Sequence, residues 1–422
     1  MNRRTGILTG SITATPTAAS GEAQTLVVQS SSYFAPLMET TGALLEEQNP
    51  GLTVEYQQIT GEQEMTTNLQ LLASDSAPDV GGVPINGPVY GELLQAGELL
   101  PLDDVWAAAD LEAGYGPELS ESLMFDGSPY SVNVSRVLYG IAWYDKDIFA
   151  EVGIAEPVNH EIATYDDLLA ITKQLRDGGY QPLLIPGGGA EYWNWLVDVF
   201  LPTSASPEQF LNYSTNFNPA VDITANYVDP EFTAVFDQLK AMYDDQMFQD
   251  GLLGMDKAAT DALFASGNAG MIMGHTLTPV GIADLAANEL NLDWVLLPGI
   301  NPDQPARPIV YNGNTFVIPA NADNPEMARK FLELLMSPEI QAQVPELTGG
   351  GSPGINLPDI TDDTGLLQYA AANGTYVGWA AVTPGALNAV DSTVQAVLTG
   401  AMTSQEAGAA LDTVRDELRA GS

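Results

Sequence analysis

Two α/β lobes are what this sequence predicts, and three observations predict them. Strand-like and helix-like apolar patterns alternate from the N-terminal region onward, which implies a parallel sheet with helical crossovers. The chain has 422 residues of which 45% are hydrophobic, enough for two cores and too long for one comfortable domain. Helix start signals recur downstream, each ahead of a clear apolar stripe.

Leu26-Val27-Val28 is a short apolar run suited to a buried strand over 25–30, and Ser30-Ser31-Ser32-Tyr33 breaks it. A helix fits 35–48, where Leu37, Met38, Thr41, Leu44, Leu45 and Gln48 share one stripe. Asn49-Pro50-Gly51 stops it, because proline cannot continue a helix and glycine turns freely. Leu52, Val54 and Tyr56 then alternate with polar residues as the next strand. Met65, Leu69 and Leu72 mark a second helix ending before Ala77-Pro78, and Asp79-Val80-Gly81-Gly82-Val83 reads as a short central strand. A helix containing Tyr90, Leu93 and Leu94 follows. Farther on, Thr164-Tyr165-Asp166-Asp167 has the form of a capping box, while Asp229-Pro230 and Asn324-Pro325 each set a cap before a proline at the first helical position. The stripes behind these signals include Phe232, Val235, Phe236 and Leu239 in one case and Ala328, Phe331, Leu332 and Leu335 in another, and Leu411, Val414 and Leu418 mark a last helix.

Charge narrows the function. Thirteen Lys and Arg face 55 Asp and Glu, a net charge of -42, which repels phosphate backbones and anionic lipid headgroups. Nucleic-acid and membrane-surface roles are therefore not expected. The five lysines make cations scarce as well as carboxylates abundant, a balance that suits a salt-adapted source or an ordinary acidic secreted protein. Cysteine is absent and the two histidines, His160 and His275, stand far apart, so no metal site is expected and no cofactor is called for. No stretch of 18 apolar residues exists. Arg3-Arg4-Thr5 before Gly6-Ile7-Leu8 looks like a trimmed twin-arginine signal, and Leu8-Thr9-Gly10-Ser11 like a lipoprotein box with Ser in place of Cys; a chance match reads nearly as well. Residues 1–22 are accordingly expected to be a disordered leader or expression remnant.

Several segments taken together resemble one family. They are Ala43 to Tyr56 with its Asn49-Pro50-Gly51 turn, Ala77-Pro78-Asp79-Val80, Gly97-Glu98-Leu99-Leu100-Pro101-Leu102, Trp143 to Phe149 with Gly153-Ile154, Gly267 to Gly274, and Asn321 to Ile340. Their order is similar to that in the extracellular solute-binding proteins of ABC importers, specifically the sugar-carrying, maltose-binding-protein-like family, and the resemblance spans about residues 24–420. It implies a type II periplasmic-binding architecture: two α/β lobes joined by hinge strands, with solute held in the cleft between them. Crossings are expected at Tyr130 to Arg136, Met271 to Leu277 and near Ser337-Pro338. On that reading 23–132 and 276–337 form the N-terminal lobe, 133–275 and 338–422 the C-terminal lobe.

Candidate solute contacts follow from residue type and from family position. Sugars present C–H faces that aromatic rings cover and hydroxyls that polar side chains bond. Tyr192-Trp193-Asn194-Trp195 supplies both within four residues, and by family position Tyr192 and Trp193 would face the cleft; the alternative is that Trp195 and one neighbour are helix core. Ser32 and Tyr33 after the first strand, and Asn86 after the third, sit where the family places polar contacts, although Asn86-Gly87 also suffices as a turn. Arg136 is either a solute anchor or a salt-bridge partner. Tyr311 and Asn312 correspond to a Gly-rich family segment lining the pocket, and again a turn explains Asn312-Gly313 equally. Where the family carries a stacking Trp, this chain has His275-Thr276; His275 then bonds solute or serves the hinge, and Trp379 either restores the stack or joins the core.

Catalytic lookalikes fail. Gly350-Gly351-Ser352-Pro353-Gly354 spells a nucleophile elbow, but no His follows residue 275. Adjacent acids such as Asp103-Asp104 and Asp244-Asp245 diverge on any regular element, unlike glycosidase carboxylates. The expected role is a non-enzymatic receptor, monomeric and extracellular or lipid-anchored at the cell surface, that delivers a sugar or polyol to ABC permease subunits. A non-sugar osmolyte receptor and, behind it, a carbohydrate-active hydrolase are the alternatives.

Overall fold

The computed structural model describes residues 24–420 except 32–33, 60–67, 84–87, 116–119, 121–122, 189–191, 218–220, 277, 284, 288, 349–351, 356, 358–363 and 379–385. The N-terminal elements stand where the apolar pattern puts them: β1 (Gln24–Ser31), the helix Ala35–Gln48, β2 (Leu52–Ile59) and the short β3 (Val80–Gly82). β1 pairs in parallel with both β2 and β3, so the intervening helices cross over as the alternation requires. A hairpin of β4 (Met124–Phe125) and β5 (Ser128–Pro129) follows, turning through Asp126 and Gly127, both at positive φ. Thr164 caps its helix by accepting from the Asp167 N–H at 3.1 Å. Asp229 and Asn324 occupy cap positions ahead of their prolines, yet neither side chain caps. Asp229 instead accepts the Asn226 N–H, and the Asn324 N–H is given to Asp79.

Two long strands tie the molecule together. β6 (Val132–Asp145) and β10 (Ile309–Val317) pair antiparallel at the middle of a sheet ordered β2-β1-β3-β10-β6-β8-β7, where β7 is Gln181–Leu184 and β8 is Ala269–His275. β9 (Leu292–Leu296) and β11 (Ser352–Pro353) add to β6, and β12 (Tyr376–Val377) to β10. Along β6, Val132 and Val134 belong to one core with Leu26, Val28, Phe316 and Phe331. From Leu138 onward the strand serves a different body, its sides alternating between a core of Ala142, Tyr144, Leu183 and Met271 and one of Ile141, Trp143, Leu184 and Ile272. β10 makes the reverse passage, from Val310 beside the second body to Phe316 in the first. These are the two lobes, and β6 and β10 are the strands between them.

The first crossing thus falls at residues 135–137, next to the expected Tyr130 to Arg136. The other two need correction. β8 does not cross at Met271 to Leu277: Met271, Ile272 and Met273 all lie in second-lobe cores, and so do Trp294 and Leu296. The return comes between Val310 and Phe316, because the apolar run Trp294-Val295-Leu296 is spent on β9, which pairs with β6. Nor is Ser337-Pro338 a linker. Pro338 opens a helix whose Ile340 packs in the first lobe with Val344 and Ile355, and the chain leaves only between Ile355 and Leu366. The core residues therefore assign about 24–134 and 315–357 to one lobe, 138–310 and 364–420 to the other, in place of the boundaries at 276 and 338.

β10 is irregular where it crosses, and β6 just beyond its crossing. β10 shifts register between Tyr311 and Asn314 and again before Thr315, and β6 skips a residue between Tyr139 and Ile141 against β8. The residue skipped is Gly140, at φ +74, a bulge conformation that a side chain resists.

Candidate functional site

A small pocket, a recess of about 10 Å³ with room for roughly one water, lies at the carboxyl ends of the parallel strands β7 and β8, the end of an α/β sheet where loops converge. The helix Tyr192–Ser204 supplies one wall. It starts close to the 251–255 segment because Gly187 and Gly188 have no side chains: an added Cβ would sit 2.8 Å from the Leu252 carbonyl oxygen and 2.9 Å from the Gly254 backbone.

That helix has two faces, and they divide the aromatic motif. Trp193, Leu196, Val197, Phe200 and Leu201 are buried in the second-lobe core, Trp193 fully so, with Nε1 donating to the Gly187 carbonyl at 3.1 Å and its ring edge-on to Phe248. The other face carries Tyr192, Trp195 and Asp198, three residues apart. Tyr192 and Trp195 line the pocket with ring centroids 4.8 Å apart. The expectation for Trp193 is thus corrected: it is a core residue, and half-buried Trp195 lines the pocket beside Tyr192 in its place.

His275 ends β8 directly across from Tyr139 of β6. Its ring meets Trp195 edge-on at 5.5 Å, and the backbone around it is held twice: its N–H donates to the Thr278 hydroxyl at 2.9 Å, and its carbonyl accepts from Trp143 Nε1 at 3.0 Å. Burial, then the positive charge of Lys257, push its pKa down from 6.5 to about 3, so at neutral pH it is an uncharged imidazole that both donates and accepts. Lys257 lies in the same pocket, ion-paired to Asp261 one helical turn away. The pocket therefore joins two aromatic faces, a neutral imidazole and a paired ammonium and carboxylate, a set that covers C–H surface and bonds hydroxyls in both directions.

Arg136 stands on β6 opposite β11, half-buried, and Nε donates to the Pro353 carbonyl at 3.0 Å. Burial lowers its pKa, opposed by Tyr115. It does not line the pocket with Trp195. Ser32, Tyr33, Asn86 and Trp379 lie outside the described residues, while Tyr311 and Asn312 are described only as backbone of β10.

Sequence reasoning missed four residues. Lys257 and Asp261 carry no sequence signal beyond an i,i+4 spacing of opposite charges; only their place in the pocket with His275 makes them site groups. Tyr139 and Asp198 are 59 positions apart, yet the Tyr139 hydroxyl donates to Asp198 Oδ2 at 2.6 Å in the interior. The one signal for Asp198 is a lone acid within the otherwise apolar run Trp195 to Pro202, since a buried carboxylate demands a partner.

Two lobes bridged by crossover strands, with a pocket at the carboxyl ends of strands, define the class of extracytoplasmic solute receptors. The chain belongs to the family of bacterial extracellular solute-binding proteins, which it matches over residues 28–342. It is 24% identical over 319 residues, 74% of this chain and 67% of the other, to an uncharacterized ABC transporter extracellular-binding protein of Pyrococcus horikoshii. Among solved structures, a chitin oligosaccharide binding protein shares the fold with a TM-score of 0.78 at 19% identity, covering 95% of this chain and 100% of that one. The solute-binding protein RafE in complex with raffinose aligns with a TM-score of 0.71 at 19% identity, covering 94% and 99%. The protein is a solute-binding protein of the ABC-transporter type.

Proposed function

We propose that the solute is a carbohydrate, taken up between the lobes and presented to ABC permease subunits by closure of the clamshell. The observation that carries this reading is the pocket wall of Tyr192, Trp195 and neutral His275 beside the Lys257–Asp261 pair. Proteins of the same fold named for chitin oligosaccharide or solved with raffinose support the class. Trp195 stacks on the sugar ring, and His275 serves hydroxyls where the resemblance leads one to expect a tryptophan. That replacement also favours a second reading, a polyol or betaine-like osmolyte, in keeping with a net charge of -42 and the salt adaptation proposed below.

Thermal-shift screening against chitin oligosaccharides, raffinose, galactose, polyols and betaines tests both readings, since a ligand at 100 times its Kd adds about 2.7 kcal/mol of stability. Stabilisation by betaines alone would sink the carbohydrate reading. Turnover of a glycan during the incubation would instead favour a hydrolase. The receptor is further proposed to be monomeric and tethered outside the cell by a lipid anchor in its native setting. Salt adaptation predicts a melting temperature that rises from 0.1 to 1 M NaCl, as the Debye length shrinks from about 10 to about 3 Å.

A further inference from the structure

The buried contact between Tyr139 and Asp198 lies beyond the pocket lining and ties β6, just past its crossing, to the pocket helix within the second lobe. Tyr139 is the residue of β6 at which three strands meet, opposite Ile309 of β10 on one side and His275 of β8 on the other. Gly140, next to it, carries the bulge of the crossover strand. The bulge turns Tyr139 toward the helix Tyr192–Ser204, where its ring lies 5.5 Å from that of Trp195 and its hydroxyl donates to Asp198. A 2.6 Å oxygen–oxygen separation is that of a hydrogen bond to a carboxylate.

The enclosure is tight. Tyr139 is 4% and Asp198 1% exposed, and Gly378 closes the third side: a Cβ there would lie 2.0 Å from the Tyr139 hydroxyl and 2.7 Å from Asp198 Oδ2. Crossover strand, pocket helix and the segment after β12 thus converge on one phenol, with Trp195 one helical turn before the carboxylate that holds it.

We infer that Tyr139 is a positioning residue, which Asp198 locks so that the seat of Trp195 follows the bend of β6 at Gly140. Its meaning for solute capture rests on the reading of Trp195 above; the contact itself does not. The test therefore uses no solute. The full chain is labelled with 5-fluorotryptophan, the Trp195 fluorine resonance is assigned with Trp195→Phe, and Tyr139→Phe and Asp198→Asn are compared with wild type. Tyr139→Phe keeps the ring and removes only the donor, so the Trp195 resonance is expected to shift or broaden while those of Trp106 and Trp294 stay in place. Asp198→Asn retains an acceptor oxygen and is expected to leave the Trp195 resonance near its wild-type position. A Trp195 resonance in Tyr139→Phe superimposable on wild type overturns the inference. So does a change spread equally over all the tryptophans, which would mark a general loss of packing. If Trp195→Ala leaves the affinity for raffinose or chitin oligosaccharide intact, the functional reading falls while the tie between Tyr139 and Trp195 stands on its own resonance.

Discussion

Replacing Gly140 with alanine tests whether the bulge of the crossover strand is obligatory. Its φ of +74 is a conformation that costs an L-residue roughly 1–2 kcal/mol. A Cβ at this position also meets Ile309 Cγ1 at 2.7 Å and Val199 Cγ2 at 3.0 Å, and both are side chains of packed elements, one on β10 and one on the pocket helix. Overpacking of that kind adds about 1–3 kcal/mol. The sum is roughly 2–5 kcal/mol. Gly127 provides the control, because it has a similar φ of +84 with nothing within 4 Å of an added Cβ. Gly127→Ala should cost only the backbone contribution, about 1–2 kcal/mol. Urea unfolding of both variants at one fixed salt concentration, followed by circular dichroism, gives the two losses from midpoint and slope. Equal destabilisation by the two substitutions would refute the packing argument. A Gly140→Ala protein as stable as wild type would refute the whole account of the bulge.

Three further outcomes are expected. Trp193→Ala removes a fully buried ring and should cost about 3–5 kcal/mol of stability, whereas Trp195→Ala removes a half-buried ring, should cost distinctly less and should weaken solute binding by roughly tenfold, read by calorimetry. His275 is neutral when folded and titrates near 6.5 when unfolded, so its contribution is full above pH 6.5 and declines as pH falls toward about 3, where only the unfolded chain holds the proton. Stability measured across that window should fall less steeply in His275→Gln, by up to about 1.4 kcal/mol per pH unit, and identical slopes would contradict a depressed His275. Gln29, fully buried on β1, has no hydrogen-bond partner for either carboxamide atom among the described residues, so Gln29→Met should be neutral or raise stability by about 1–3 kcal/mol in the same urea assay. A clear loss there would mean that the amide is satisfied.

What was legible in the sequence, and what was not, divides along the range of the interactions concerned. Strand, helix and turn over residues 24–59 could be read because the forces that place them act between near neighbours: a period of 3.6 or 2, and the halt at Asn49-Pro50-Gly51. Asp229 and Asn324 announce helices correctly through the prolines that follow, yet their side chains serve other bonds, since a cap position defines geometry and leaves the choice of partner to its surroundings. The crossing points could not be read the same way. Trp294-Val295-Leu296 is an equally good strand in either lobe, and only its pairing with β6, some 150 positions earlier, decides.

The error at Trp193 is different in kind, because the deciding pattern was local. Trp193, Leu196, Val197, Phe200 and Leu201 recur at intervals of three and four, a complete buried stripe; Tyr192, Trp195 and Asp198 recur on the opposite side and include the one charge. A face that carries a carboxylate among rings cannot be the core side unless something bonds that carboxylate, and Tyr139 does so. Helical phase therefore separates the packing tryptophan from the pocket tryptophan without any reference to family position, and the buried acid marks where the crossover strand must come. Tyr139 itself stays hidden from such reasoning, since its role depends on a one-residue skip at Gly140 that points its ring at a helix more than fifty positions away.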